Sequence, residues 1–422
     1  MSYWFQDPGI KGLLPLATAT SMKGLTTFFS IPSFIIGSNA LPEGLVIGPS
    51  TVDFLNARCP RKRAFLVTDE ACNRFASRVA GVVEAGGFTT QIWNKALPEA
   101  PTDNVKECGD EMSTFEPDLI IAVGGGSVID GAKAGWIHYE RPDITDLGLI
   151  NPLELLGLRK KAILAAVPTT AGTGSECTPV SVLHDTETNR KVPIANGDLI
   201  PDFAILVPEF TMTMPPKLTA GSGLDVLAHA VDAVATPAAN ELTDAMSLGS
   251  IKLVFRYLPR AYRNGKDREA RHRMLIAASM AGIGFGQNAA ALTHSFGHSL
   301  GSVFGIHHGL AVGVFIPFAL QYYREVSDKF LEICDALKVQ GESREARLAG
   351  LVEKMRALFK ELDVPLNLKD LGIPADKLDQ NMEQLVLYAC EDIDTFFSPR
   401  SITTAQCEKI FRYAYQGKDI DF

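Results

Sequence analysis

Four of the chain's eight histidines, His294, His298, His307 and His308, fall within fifteen residues of one another. They sit in "LTHSFGHSLGSVFGIHHG" (292–309), a segment otherwise made mainly of glycine and apolar residues. On a helix, His294 and His298 stand one turn apart and share a face. His308 comes ten residues after His298, past glycines that let the chain turn back. Upstream, "GLDVLAHAVDA" sets Asp225 and His229 at i and i+4, again on one helical face. Two helices presenting such pairs, with a histidine from a loop, can converge on one ion. Asp225, His229, His294 and His308 make a carboxylate and three imidazoles, a set suited to a divalent first-row metal with positions left open for a substrate oxygen. The competing reading is helix packing: an exposed Asp–His pair at this spacing contributes only about 0.3–0.5 kcal/mol, and a lone histidine on an apolar face is usually a satisfied core residue. Two pairs together, beside a dinucleotide-like domain, favour the ion.

A second group of residues has the chemistry of a phosphate cradle. "GGGSVID" follows an apolar strand and precedes a helix-like stretch. Gly124, Gly125 and Gly126 remove every Cβ where a backbone could approach a ligand. Ser127 is expected to cap the helix, with Asp130 completing a capping box, and the free amides of such a terminus suit a pyrophosphate. Without a ligand, the same pattern is simply a tight strand-to-helix turn. Asp69, ending "FLVTD", can accept from a ribose 2′-OH, which favours NAD over NADP, or can cap the following helix. "PTTAGTGSECT" (168–178) is a further loop after a strand, whose Thr169, Thr170 and Thr178 offer hydroxyls. Lys191 is counted with these cofactor contacts.

The elements needed to position both groups can be read from the pattern. "AFLVTDEA" (64–71), "TTQIWN" (89–94), "DLIIAVGGGS" (118–127), "AILAAVPTT" (162–170) and "FAILVP" (203–208) read as strands, with helices expected over 71–87 and 102–115. Strands buried on both faces and alternating with helices imply a parallel, Rossmann-like sheet in an α/β domain. After Val207 the apolar residues recur at three- and four-residue spacing, over 224–235, 245–263, 268–285, 322–339 and 344–362. The expectation is an α/β nucleotide-binding domain over 1–207, with an N-terminal arm over 1–32, and an all-helical metal and substrate domain over 208–422.

Composition bounds the function classes. The chain has 422 residues and a net charge of −9, which argues against nucleic-acid binding. Seven scattered cysteines with no CxxC pair suit reduced thiols in a cytoplasm. No basic-then-apolar leader and no run of about 18 apolar residues is present, so neither secretion nor a membrane span is expected.

Taken in order, the motifs resemble those of the iron-containing (group III) alcohol dehydrogenase family from roughly Ser33 to the C-terminus. GGGSxxD stands at Gly124–Asp130, PTTAGTGSE at Pro168–Glu176, the Asp-His helix at "SGLDVLAHAVD", and HxxxHxxG…HG at His294, His298, Gly301 and His308-Gly309. Asp232 stands where the family commonly has glutamate, Ser398 where a tail motif has asparagine before Pro399, and "FAILVPE" lacks an aspartate often found before its proline. The resemblance implies metal ligands at Asp225, His229, His294 and His308, NAD on Asp69 and the glycine loop, and His298 beside nicotinamide or substrate. It implies the architecture shared with dehydroquinate synthase, Fe²⁺ (with Zn²⁺ the alternative), and at least a dimer. The expected activity is metal-dependent, NAD-linked interconversion of a primary alcohol, diol or hydroxy acid and its carbonyl partner. In it His298 relays the alcohol proton, His307 being the second choice. The rival readings are a dehydroquinate-synthase-like lyase, which would regenerate its NAD, and a non-catalytic NAD-binding protein. Phe285, Phe304, Phe396 and Phe397 are candidates for an apolar substrate pocket.

Overall fold

A computed structural model describes residues 30–37, 40–41, 50–187 and 190–422; the proposed arm lies almost wholly outside them. The chain divides into two compact units, which part between Thr213 and Met214. This is six residues beyond the boundary expected from the pattern, because Phe210 stacks on Phe75 of the first unit at 4.6 Å and is buried in its core.

In the first unit the elements run β1 (Ser33–Ile36), α1 (Thr51–Arg58), β2 (Arg63–Val67), α2 (Asn73–Ala85), β3 (Thr89–Trp93), α3 (Thr102–Phe115), β4 (Leu119–Gly124), α4 (Gly126–Glu140) and β5 (Ile163–Pro168). They continue through β6 (Val180–Asp185), β7 (Arg190–Ala195), β8 (Phe203–Leu206) and α5 (Pro208–Thr211). Six strands form one sheet in the order β1-β8-β5-β4-β2-β3, and all its pairings are parallel. Side-chain alternation sorts β4 between two cores: Ile120 and Ala122 join α3 and α4 on one face, while Leu119, Ile121 and Val123 join α1 and α2 on the other. Burial on both faces is why these strands read as unbroken apolar runs.

The order of strands reverses at β2 and β4, and ligands of open α/β sheets bind beyond the strand ends at such a switch. Gly124 pairs in register with Pro168, so the glycine loop and the Pro168–Glu176 loop leave the sheet side by side. The antiparallel hairpin β6–β7 was not expected, although the alternating burial of Val180–Asp185 carries the period of a strand.

The second unit is helical. It comprises α6 (Pro216–Ala235), α7 (Glu241–Arg263), α8 (Arg268–Asn288), α9 (Leu292–Phe304), α10 (His308–Gly313), α11 (Ile316–Tyr323), α12 (Phe330–Ala336), α13 (Arg344–Glu361), α14 (Ala375–Gln380), α15 (Met382–Glu391) and α16 (Thr404–Gln416). The helix expected over 322–339 is instead two pieces, α11 and α12. Arg324, at the break, donates to the Ile420 carbonyl at 2.6 Å, which ties the chain to the C-terminal tail. α6 is buried from Thr219 to Ala235 and packs against α7, α8 and α10. Burial on every side is what a central position gives, so the polar face carried by Asp225, His229 and Asp232 is buried as well. Among the described residues no single helix is long and apolar enough to cross a membrane.

Candidate metal centre

Glycine sets the approach of the helices that carry the imidazoles. A Cβ on Gly309 would lie 2.0 Å from the Gly221 carbonyl oxygen, and one on Gly297 would lie 2.7 Å from the Val312 Cα. Any side chain there would force α10 away from α6 or from α9. Gly305, with φ +65°, ends α9 in the left-handed region and turns the chain toward His308. This explains the glycine in the histidine-rich segment. It lets three helices close on one point.

At that point stands the Asp225 carboxylate. Its Oδ1 lies 3.2 Å from His308 Nε2, 3.7 Å from His229 Nδ1 and 3.9 Å from His294 Nε2. Ligand atoms of Asp225, His294 and His308 all lie within 4.8 Å of one another. The His229 ring is sandwiched by Phe285 at 4.0 Å and His294 at 4.3 Å. Asp225 Oδ1, His229 Nδ1 and His294 Nε2 are buried without a hydrogen-bond partner among the described residues. Leaving a buried polar atom unsatisfied costs about 1–3 kcal/mol. His229 is not part of the group of mutually close ligand atoms, but its Nδ1 and His294 Nε2 lie 3.7 and 3.9 Å from Asp225 Oδ1. A cation beside that oxygen would answer these unpaired atoms, and oxygen and imidazole donors suit a divalent metal.

Electrostatics agree with that chemistry. Burial alone would raise the Asp225 carboxyl, but His229, His308 and His294 hold it well below the carboxylate range. Burial pushes His229 and His308 below the usual imidazole value, keeping both in the neutral form that ligates. Burial would also lower His294, but its hydrogen bond to Asp232 and the charges of Asp232, Asp394 and Asp225 together outweigh this and raise it.

Asp232 is the residue whose role the sequence did not disclose. Its Oδ2 accepts from His294 Nδ1 at 2.9 Å, from the Ala291 amide at 2.9 Å and from the Thr293 hydroxyl. A carboxylate only accepts, so the ring proton resides on Nδ1 and the Nε2 lone pair faces the centre. The same carboxylate caps α9, whose own Ala291 cap lacks a side-chain acceptor. Asp232 lies seven residues after Asp225, on the same helical face. That spacing was the available signal.

His298, whose ring stacks on His308 at 5.3 Å, is held at Nδ1 by Asp392 at 2.9 Å. His307 instead abuts α6 at Gly221. Phe285 backs the centre, whereas Phe304 lines a separate cavity of about 280 Å³ with Val303, Ile306, Lys377 and Asn381. Ser398 turns inward on its own loop, donating to the Arg400 carbonyl at 2.7 Å.

In the first unit Asp69, the glycine loop and Thr169–Thr170 follow the ends of β2, β4 and β5, whereas Asp130 lies inside α4 and Lys191 inside the hairpin strand β7, and several of these residues are already engaged. The capping box is not formed: Gly125 is the cap of α4, with no side-chain acceptor. Ser127 Oγ instead accepts from the Glu99 amide at 3.1 Å. Asp130 accepts from Ser175 Oγ at 2.5 Å and the Val182 amide at 3.1 Å, tying α4 to the next loop and β6. Thr178 Oγ1 accepts from the buried Lys133 ammonium at 3.2 Å. Asp69 Oδ1 accepts from the Cys72 amide at 2.7 Å, the local cap that its position allowed. The Thr169 amide donates to the Gly124 carbonyl at 2.9 Å, and Thr170 lies 3.4 Å from the Cβ position of Gly125. Lys191 pairs with Glu99 at 3.2 Å. Two of the three glycines answer to packing: a Cβ on Gly124 would strike Val128 at 2.5 Å, and one on Gly126 would strike Thr173 at 2.7 Å.

A parallel-sheet unit with loops side by side at its strand ends and a helical unit with a buried carboxylate–imidazole centre suit nucleotide- and metal-linked chemistry. The family profile for iron-containing alcohol dehydrogenase matches residues 42–208, and that for the Fe-containing alcohol dehydrogenase family, C-terminal, matches residues 219–415. The chain is 31% identical over 385 residues to the NADPH-dependent butanol dehydrogenase of Clostridium saccharobutylicum, covering 90% of this chain and 99% of that protein. It is 30% identical over 396 residues to the NAD-dependent methanol dehydrogenase of Bacillus methanolicus, covering 92% and 100%. The solved iron-containing alcohol dehydrogenase of Thermococcus thioreducens superposes with a TM-score of 0.80 at 28% identity, covering 93% and 100%. The chain belongs to the iron-containing alcohol dehydrogenase family and is an enzyme of that oxidoreductase class.

Proposed function

We propose that this enzyme interconverts small primary alcohols and aldehydes with NAD as its hydride partner and Fe²⁺ held by Asp225, His229, His294 and His308. A divalent ion so held supplies Lewis acidity at the substrate oxygen; bound nicotinamide supplies the hydride acceptor. The observation that carries the reading is the trio of buried, unpartnered atoms on Asp225, His229 and His294.

The chain's own groups have distinct tasks. Asp232 orients His294, and Asp392 holds His298 at Nδ1, leaving His298 Nε2 to take the alcohol proton. In the first unit, the free amides after Gly125 at the start of α4 receive the pyrophosphate. Asp69 keeps its second carboxylate oxygen for a ribose hydroxyl, which disfavours the 2′-phosphate of NADP. Thr169, Thr170 and Lys191 complete the cofactor side, while Asp130 and Thr178 support it from behind. Iron is chosen over zinc on family membership, since these ligands alone bind zinc more tightly. The seven free thiols support a reducing cytoplasm, and a dimer is the working assembly.

The test is metal analysis of protein purified without oxygen, followed by NADH and NADPH oxidation against an aldehyde panel. The expected result is about one divalent ion per chain and aldehyde-dependent oxidation that favours NADH. Protein that binds no divalent ion and oxidises neither cofactor would refute it.

A further inference from the structure

Asp394 is the second carboxylate beside His298, and nothing in the centre described above employs it. It lies in the 3₁₀ segment Ile393–Phe397. That segment is pinned to α9 by Thr395 Oγ1, which donates to Ser295 Oγ at 2.8 Å, one residue from His294, and the preceding α15 is tied to α9 by Ser299 Oγ, which donates to the Leu385 carbonyl at 2.8 Å. Asp394 Oδ2 stands 3.8 Å from His298 Nδ1, too far for a hydrogen bond. Asp392 takes that proton instead at 2.9 Å, and also accepts the Asp394 amide at 2.9 Å. The two aspartates are therefore unequal. Asp392 is spent, whereas the Asp394 carboxyl has no hydrogen-bond partner among the described residues.

The open side of the centre is the side Asp394 borders. Side chains of His298 and His308 are 32% and 33% exposed, against 3% for His294, and Asp394 is 14% exposed. The charged groups that act on it most strongly are Asp392, His298, His294 and Asp232.

We propose that Asp394 reads the substrate by hydrogen-bonding a second hydroxyl, so that the enzyme prefers short diols to mono-alcohols and to hydroxy acids. The inference rests on the alcohol dehydrogenase reading and narrows it. A hydroxyl can donate to a carboxylate or accept from a carboxyl, so recognition holds in either protonation state. A mono-alcohol would leave Asp394 desolvated and unpaired, and a site built to bond a hydroxyl rejects the analogue that lacks it. A substrate carboxylate placed at the same spot would instead face the like charge of Asp392 and Asp394.

The experiment uses the zinc- or iron-loaded full chain with propane-1,2-diol, propane-1,3-diol, propan-1-ol and 3-hydroxypropanoate. Binding to the loaded protein without cofactor is read by calorimetry or saturation-transfer NMR, and kcat/KM is read separately. The better diol is expected to bind about tenfold tighter than propan-1-ol. Asp394→Ala should collapse that ratio toward one. Asp394→Asn, which keeps shape and hydrogen bonding, should retain part of it and admit 3-hydroxypropanoate better. Equal wild-type binding of diol and propan-1-ol overturns the proposal, as does an Asp394→Ala loss shared equally by both. Oxidation of every alcohol without diol preference would sink this proposal alone. Diol-selective binding without any oxidation would instead sink the alcohol dehydrogenase reading.

Discussion

The candidate sites of the two units treat their polar side chains in opposite ways. In the first, Asp130, Ser127, Thr178 and Asp69 each hold a partner within the unit. In the second, Asp225, His229 and His294 are buried with atoms that have none. A loop that contacts a solvated cofactor through amides and glycine can satisfy its side chains internally. A centre built to hold an ion cannot, because every internal hydrogen bond would consume a ligand atom. Buried atoms without a partner among the described residues also occur elsewhere, as at Asn56 and Trp93 of the first unit, so what marks the centre is that those of His229 and His294 lie 3.7 and 3.9 Å from that of Asp225.

The largest effect should follow from removing the shared acceptor of that centre. Asp225→Asn is expected to lower metal affinity by more than about 100-fold, beyond what supporting residues contribute, with activity lost in parallel. Full metal content in the purified variant, measured by mass spectrometry, would break the contrast between the units. Next comes Asp232→Ala, which leaves Ala291, Thr293 and His294 without their acceptor. Metal affinity should fall about 10–100-fold, and chemical denaturation should show a loss of about 1–3 kcal/mol or more for the stranded donors. A variant that lost stability but bound metal normally would show Asp232 to be a cap alone.

The smallest effect belongs to the scaffold side. Lys133 donates to Ser175 Oγ, Thr178 O and Oγ1, and Val180 O, and burial lowers it to about 8 from an unfolded value of 10.5. Between those values the unfolded chain keeps a proton that the native chain has lost, so stability rises with pH. Relative to Lys133→Met, the wild type should gain stability from pH 8 to 10.5 in denaturant titrations, with metal content unaltered in the variant. A flat difference across that range would mean Lys133 is not desolvated as its surroundings require.

Much of this was legible beforehand. Helix α3 falls on the expected 102–115, and the five expected strands of the main sheet all form, because burial on both faces leaves an unbroken apolar signal. The Asp225–His229 and His294–His298 pairs were readable because helical spacing alone puts each on one face. The hairpin β6–β7 was missed although Ser181, Leu183 and Asp185 are the buried alternates of a strand. The expected capping box failed because the Glu99 amide, a distant donor, claims Ser127.

Short-range periodicity thus determined which elements form and which face of each bears a ligand-capable side chain. Only the tertiary structure decided that the faces meet. Gly221 lies against Gly309, far along the chain, and Asp392 reaches His298 across 94 residues. Such contacts depend on how closely backbones pack, and no local pattern records that distance.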